Sequence, residues 1–215
     1  LENLAGLRCK NSKLNGILTQ EKLNCIQFLN HRKVELFMER TLSTQRVFDG
    51  KLLKIDKLEV ELDNGNKAIR EIVNFPEVVV ILPLRKKDNK ILCVRQFRKP
   101  VEGLLLEAIA GKIDPGESAI DAAKRELKEE TGYEAFNIRK IGLIYPTPGY
   151  SNEIQHYFFV EIEGEPGKQS CDDEERIQLE WLGKEGIANM VSDTKPIDGK
   201  LMIAMGLLSQ LNIFK

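Results

Sequence analysis

The chain has 215 residues, 42% of them hydrophobic and 30% charged, which is enough apolar material for one sizeable core and an appendage. With 32 Lys and Arg against 33 Asp and Glu, the formal net charge of -1 excludes bulk attraction to nucleic acid or to an anionic membrane. The longest apolar stretch, Val78 to Leu82, falls far short of the roughly 20 residues that a membrane-spanning helix needs.

The four cysteines, Cys9, Cys25, Cys93 and Cys171, show no Cys-x-x-Cys spacing, and His31 and His156 are the only histidines. A zinc ribbon is excluded and a disulfide scaffold is disfavoured, so reduced thiols in a cytoplasmic protein are expected. Any metal site must then be built from carboxylates. Oxygen-only ligation favours Mg²⁺, with Mn²⁺ as a substitute.

Residues 1–37 are rich in Asn, Lys and Leu, and Leu23, Ile26 and Leu29 give the piece from Gln20 to Phe37 a helical period. The chain opens on Leu1 and no charged-then-apolar leader follows, so the expectation is that Met38 is a natural start and residues 1–37 an extension of unknown role. Beyond it, the expected organisation is a small β unit over 38–76 and a main domain over 77–215.

In chain order, Leu58, Val60 and Leu62 alternate with charges, Asp63 to Asn66 supplies a turn, and Ala68 to Val73 runs back as the partner strand. Val78 to Leu84 is a continuous apolar run whose expected partner is Ile91 to Phe97, with Pro83 marking a strand end or bulge. A strand over Leu104 to Ala108 leads into a loop from Gly111 to Glu117. Ser118 and Asp121 then form an acidic capping box for a helix over Ala119 to Thr131, which Gly132 closes. Strands follow at Ile138 to Tyr145, His156 to Ile162 and Ile177 to Leu182. A last helix from about Asp198 to Leu211 carries Leu201, Ala204, Met205 and Leu208 at helical spacing. The fold class is therefore α/β in the broad sense (α+β), a mixed sheet sandwiched by helices.

The segment that carries chemistry is Gly111-Lys112-Ile113-Asp114-Pro115-Gly116-Glu117 followed by Arg125-Glu126-Leu127-Lys128-Glu129-Glu130-Thr131-Gly132. Residues three and four apart share a helix face, so Glu126, Glu129 and Glu130 crowd their charges together, which is destabilising unless a cation sits among them. A solvated, salt-bridged helix face is the plain alternative, with Lys124, Arg125 and Lys128 nearby. A resemblance to a known family decides between them, since at about 7% usage per residue type its seven specified positions coincide by chance in roughly one in a million chains of this length.

With these residues the chain resembles the Nudix hydrolases, whose box has Gly, five residues, Glu, seven residues, Arg-Glu, an aliphatic, one residue, Glu-Glu, one residue and Gly. Gly111, Glu117, Arg125, Glu126, Leu127, Glu129, Glu130 and Gly132 all fit, and Tyr133 departs where the family usually has an aliphatic residue. The resemblance implies a Nudix fold and a Mg²⁺-dependent hydrolysis of a nucleoside diphosphate linked to another group. It implies Glu126, Glu129 and Glu130 as metal ligands, with the Ala110 carbonyl beside them. Arg125 is implied to orient the carboxylates, and Glu117 to brace the loop.

Outside the box, Arg95 to Val101, Leu105 to Gly111 and Pro146 to Glu153 resemble the ADP-ribose pyrophosphatase branch, in which Pro148 matches the position of a diagnostic proline. That resemblance implies cleavage of ADP-ribose to AMP and ribose 5-phosphate by a homodimer whose N-terminal β unit reaches the partner's site. It implies Arg98 at the diphosphate, Arg70 and Phe48 near the adenine, Glu107 at metal or water, and Glu153 at the terminal ribose. Each has a structural alternative: Arg98 as a surface cation, Arg70 and Phe48 as strand residues, and Glu107 and Glu153 as loop caps. From the acidic loop Asp172-Asp173-Glu174-Glu175 it implies a general base or extra metal ligand, Glu175 first, Glu174 next and Asp173 as a further candidate, against the plain alternative of a solvated acidic run. Alternatives to this reading are the same chemistry on another nucleoside diphosphate sugar such as GDP-mannose, a non-catalytic Nudix-fold ligand sensor, and RNA decapping or nucleotide cleansing, which the near-neutral charge does not favour.

Overall fold

The continuous apolar run Val78 to Leu84 becomes a strand buried on both faces, which is why its sequence shows no polar alternation. The structure is a computed structural model that describes residues 38–170, 176–183, 185, 186, 189 and 196–213. The expected helix within 1–37 and the acidic loop 172–175 lie outside them.

Strands β1 (Arg40–Asp49), β2 (Lys54–Glu61) and β3 (Lys67–Asn74) form a three-stranded sheet in that order. The chain divides into two compact units, and the division runs through these strands: one unit takes 38–42 with Glu59–Ala68, the other Ser43–Leu58 with everything from Ile69 onward. In the first unit the Asn64 side chain accepts a hydrogen bond from the Asn66 N–H at 3.0 Å, and Arg40 pairs with Glu61 at 2.5 Å.

The second unit continues with β4 (Val78–Arg85), β5 (Lys90–Arg98), a short 3₁₀ turn (Lys99–Val101), β6 (Gly103–Glu107) and β7 (Ile109–Lys112). Helix α1 (Ala119–Thr131), β8 (Ala135–Ile144), β9 (Gln155–Ile162), β10 (Ile177–Leu182) and α2 (Gly199–Gln210) follow. The seven-stranded sheet runs β10-β5-β4-β9-β8, with β6 beside β5 and β7 beside β4. Pairing of β4 with β9 is parallel and the other pairings are antiparallel, so the sheet is mixed.

Two strand expectations are corrected. The hairpin of β4 with β5 is paired only at its base, Leu84 with Ile91 and Arg85 with Lys90. Beyond that point β5 pairs with β6 and β10, and β7 takes the place beside Val78 to Ile81. Pro83 lies inside β4, neither at its end nor at a bulge. Leu82 and Pro83 have register partners only in β9, between the stretches paired with β7 and β5, where a missing N–H is tolerated.

Period-two alternation sends β4 side chains to two cores. Val78, Val80, Leu82 and Leu84 pack with Tyr157, Leu106 and the α2 residues Leu201, Ala204 and Leu208. Val79 and Ile81 pack with Phe158, Ile109 and the α1 residues Ala122, Ala123 and Leu127. Among the described residues, α2 covers one face of the sheet and α1 the other, as expected. Tyr133, the departure from the family pattern, is buried in the second core with its ring edge-on to Trp181, centroids 6.0 Å apart.

Both helices start on the side chains the sequence offers. Ser118 Oγ accepts from the Asp121 N–H at 3.2 Å, and Asp198 Oδ2 accepts from the Leu201 N–H at 2.9 Å. Gly132 ends α1 at φ 73°, and a Cβ there would lie 2.3 Å from the Gly167 carbonyl oxygen. The segment 167–170 lies along that helix end: the Ser170 N–H donates to the Glu129 carbonyl at 2.9 Å, and the Gln169 amide to that of Glu130 at 2.5 Å. Carbonyls in the last turn of α1 are thus satisfied by a different part of the chain.

Candidate active site

Strand β7 and helix α1 meet at Gly111. A Cβ there would lie 1.9 Å from the Glu126 carboxyl carbon, so only glycine lets that carboxylate rest against the strand. Arg125 organises the acidic face from within. Its Nε and Nη2 donate to the two oxygens of Glu117 at 2.9 Å each, and Nη1 donates to Glu126 at 2.8 Å and Glu129 at 3.0 Å. Nη2 also reaches the Lys112 carbonyl at 3.0 Å, which ties the loop before α1 to the helix. The cation expected among the glutamates is therefore, in the first instance, the neighbouring arginine. The fork to Glu117 is the main reason the guanidinium is held still more firmly in its charged form, and it pulls Glu117 below the ordinary carboxylate range.

Glu130, only 6% exposed, lines a cavity of about 490 Å³. Besides Glu130, the cavity is lined by Ala110, Gly111, Arg98 and Glu153, and by Lys200, Gln96, Gln155 and several apolar residues. Its size suits a small-molecule ligand. A second cavity of about 480 Å³, around the Arg95–Glu180 pair, is lined by Arg95, Val101, Leu105 and Leu106 of the singled-out segments but by none of the candidate site residues.

The structure thus brings Ala110, Glu130, Arg98 and Glu153 to one cavity, with Glu126 and Glu129 joined to them through α1. Neither Arg70 nor Phe48 lines it. Arg70 donates to the Ile69 carbonyl at 3.0 Å, and the Phe48 ring is 53% exposed over Gly50. Glu107 lies behind the cavity, 2% exposed. Its Oε1 accepts from Arg98 Nε at 2.5 Å, and its Oε2 accepts from Arg98 Nη2 at 2.8 Å and from Lys200 Nζ at 3.2 Å. Burial would push this carboxyl up, but Arg98 and Lys200 outweigh burial and hold it below the usual range. Burial would likewise lower the Lys200 ammonium, and Asp198 with Glu107 reverses that. Glu174 and Glu175 lie outside the described residues.

Sequence reasoning missed Lys200 and Gln155. Nothing in Asp198-Gly199-Lys200 announces more than a helix start, and Gln155 reads only as a strand residue. Gln155 accepts from the buried Tyr157 hydroxyl at 2.7 Å and donates to Glu153 at 2.7 Å, so a hydrogen-bond chain sets the Glu153 carboxylate at the cavity.

Among the described residues, no three His, Cys, Asp or Glu side chains converge tightly enough to hold a metal ion by themselves. The donor set still suits Mg²⁺. That ion keeps several waters, takes up substrate phosphates, and needs only one or two carboxylates of the kind Glu130 and Glu126 present around the Gly111 notch. Among the described residues, no helix is long and apolar enough to cross a membrane.

Comparison with known proteins bears on the same segment. The family described as NUDIX domain matches residues 74–203. An ADP-ribose pyrophosphatase of Bacillus subtilis (strain 168) is 36% identical over 171 residues, covering 79% of this chain and 92% of that protein. A methanol dehydrogenase activator of Bacillus methanolicus is 33% identical over 175 residues, covering 81% and 94%. Among solved structures, an ADP compounds hydrolase superposes with a TM-score of 0.70 at 22% identity, covering 80% of this chain and 93% of that one, a likeness of fold.

Proposed function

The chain belongs to the NUDIX family, and from that premise we propose that it hydrolyses the diphosphate of ADP-ribose to AMP and ribose 5-phosphate. The observation that carries the reading is the joining of Arg98, Glu130, Ala110 and Glu153 in one cavity of suitable size. The identity to an ADP-ribose pyrophosphatase over most of both chains supports the substrate.

In this reading the oxygen of water attacks one phosphorus and the bridging P–O bond breaks. Water's oxygen ends on the attacked phosphorus, the bridging oxygen leaves with the other phosphate, and both protons of the water are released as the two product monophosphates ionise. Bound Mg²⁺, for which Mn²⁺ can substitute, would offset diphosphate charge and activate the water. Glu126, Glu129 and Glu130, with the Ala110 carbonyl, would hold it. Arg98 binds diphosphate oxygens, a task suited to a planar guanidinium. Glu153 receives the terminal ribose hydroxyls. Arg125 acts through the glutamates and not on substrate, and Glu107 acts through Arg98. Glu175, with Glu174 next, is the proposed base.

The division of labour along the chain is part of the proposal: residues 38–76 as a dimerising β unit, 77–215 as the hydrolase domain and 1–37 as an extension. Exposed Val47, Phe48, Leu52 and Leu53 support a homodimer, and in such a dimer Phe48 and Arg70 approach the partner's adenine. The cysteine usage supports a reducing compartment, the cytoplasm.

The test is AMP release from ADP-ribose with Mg²⁺ by wild type and Glu130→Gln, alongside a panel that includes GDP-mannose. Expected is ADP-ribose turnover that the substitution reduces mainly in kcat. Full activity of Glu130→Gln, or turnover of GDP-mannose alone, would overturn the reading. Light scattering checks the dimer, and a monomer removes Phe48 and Arg70 from the site.

A further inference from the structure

We infer that Lys200 is a substrate-contacting residue, forming with Arg98 a two-cation seat for a phosphate oxyanion, and that Glu107 is the buried positioning residue that holds the two cations together. The identity of that oxyanion as part of the substrate diphosphate rests on the function proposed above; the seat itself does not.

Three elements converge here: Arg98 ends β5, Glu107 ends β6 and Lys200 opens α2. Arg98 Nη2 and Lys200 Nζ both bind the same oxygen, Glu107 Oε2, at 2.8 and 3.2 Å. Two cations sharing one acceptor repel each other, and they are brought together only because a carboxylate lies between them. That carboxylate is placed on the protein side. Glu107 does not line the cavity, and neither does Asp198, whose Oδ1 accepts from Lys200 at 2.8 Å and whose Oδ2 caps α2. Arg98 and Lys200 do line it. The four charges sum to zero, but the arrangement is polarised, carboxylates behind and cations in front, so of this group the cavity meets the two cations, with Glu130, Glu153 and Lys112 among its other charged lining residues.

Donor bookkeeping points the same way. An ammonium has three N–H donors, and Glu107 and Asp198 take two of those of Lys200. A guanidinium has five, and Glu107 takes Nε–H and one on Nη2 of Arg98. The donors left over belong to two groups whose separation is set by a shared oxygen, a spacing suited to the oxygens of one phosphate or of a diphosphate. Being held in place before any ligand arrives, the two cations lose little conformational freedom on binding.

The probe is inorganic pyrophosphate, titrated calorimetrically into the full chain in buffer with chelator, so that metal does not contribute. Wild type should bind, Lys200→Gln should bind about tenfold or more weakly, and Lys200→Arg should stay within about threefold of wild type. With ADP-ribose and Mg²⁺, Lys200→Gln should raise KM by a similar factor and leave kcat within about threefold. Thermal unfolding shows whether the variants fold, and if Lys200→Gln does not, Lys200→Met is tested with the same expectation. Unchanged pyrophosphate affinity in the charge-removing variant, failure of Lys200→Arg to restore it, or absence of binding by wild type overturns the seat. Lys200-dependent pyrophosphate binding without ADP-ribose turnover overturns the proposed substrate and upholds the seat.

Discussion

Gly111 and Glu126 are complementary: the missing side chain of one is the space occupied by the carboxylate of the other, 1.9 Å from where a Cβ would stand. No rotamer adjustment of Gly111 could relieve such a contact, so an added methyl group must displace Glu126 or the strand. The position couples β7 to the acidic face of α1 by shape alone.

Gly111→Ala should therefore fold and lose metal-dependent activity. A shift of about 1 Å in a positioned group costs on the order of 10²-fold in rate. The check is a Mg²⁺ titration of turnover beside a thermal melt. A weakened Mg²⁺ dependence with an unchanged melt is the expected pair, and a variant as active as wild type at all Mg²⁺ concentrations would contradict the coupling.

Arg125→Lys should act as a severe change despite keeping the charge. A lysine offers a point of charge in place of the fork that serves Glu117, Glu126 and Glu129 together. Loss of about 1–3 kcal/mol in denaturant stability is expected, with turnover falling more than KM changes. A variant as stable and active as wild type would remove Arg125 from its positioning role.

Glu107 makes stability depend on pH with a definite sign. Its folded-state pKa lies below the usual 4.5 because Arg98 and Lys200 outweigh burial. Its contribution is then fully present above about 4.5 and is lost as pH falls through the lowered folded value. The stability difference between wild type and Glu107→Gln should be largest near neutrality and shrink as pH is lowered below about 4.5, as read by urea unfolding. A difference that grows on acidification contradicts the assignment.

Cys93 is fully buried in β5, and burial is the main influence pushing its thiol up to about 12. At pH 8 the thiolate is then a negligible fraction, so alkylation followed by peptide mass mapping should leave Cys93 unmodified until denaturant is added. Rapid labelling in the folded protein would contradict this packing.

Much of the fold was legible because each element carries its own local signal. Ser118, Asp121 and Gly132 delimit α1 to the residue, and Asp198 begins α2, since capping is chemistry between near neighbours in sequence. Strand partnership was less legible. Val78 to Leu84 and Ile91 to Phe97 look like a plain hairpin, but the sheet lets β9, β7, β6 and β10 compete for the same edges, and the hairpin keeps only its base. Pro83 was misread for the same reason: whether a missing N–H is tolerated depends on which neighbour lies across from it.

In the site, the sequence by itself determined the acidic face of α1, because glutamates three and four apart must share a helix surface and Arg125 lies within reach of them. The family box marked a glycine at position 111, although not the carboxylate that requires it. Only the tertiary structure decided that Glu107 is locked behind Arg98 and that Lys200, 93 residues away in sequence, shares its oxygen. The reason is that a cluster of charges drawn from β5, β6 and α2 leaves no periodic trace in any one of them, and its cost and its gain exist only once burial has brought the three together.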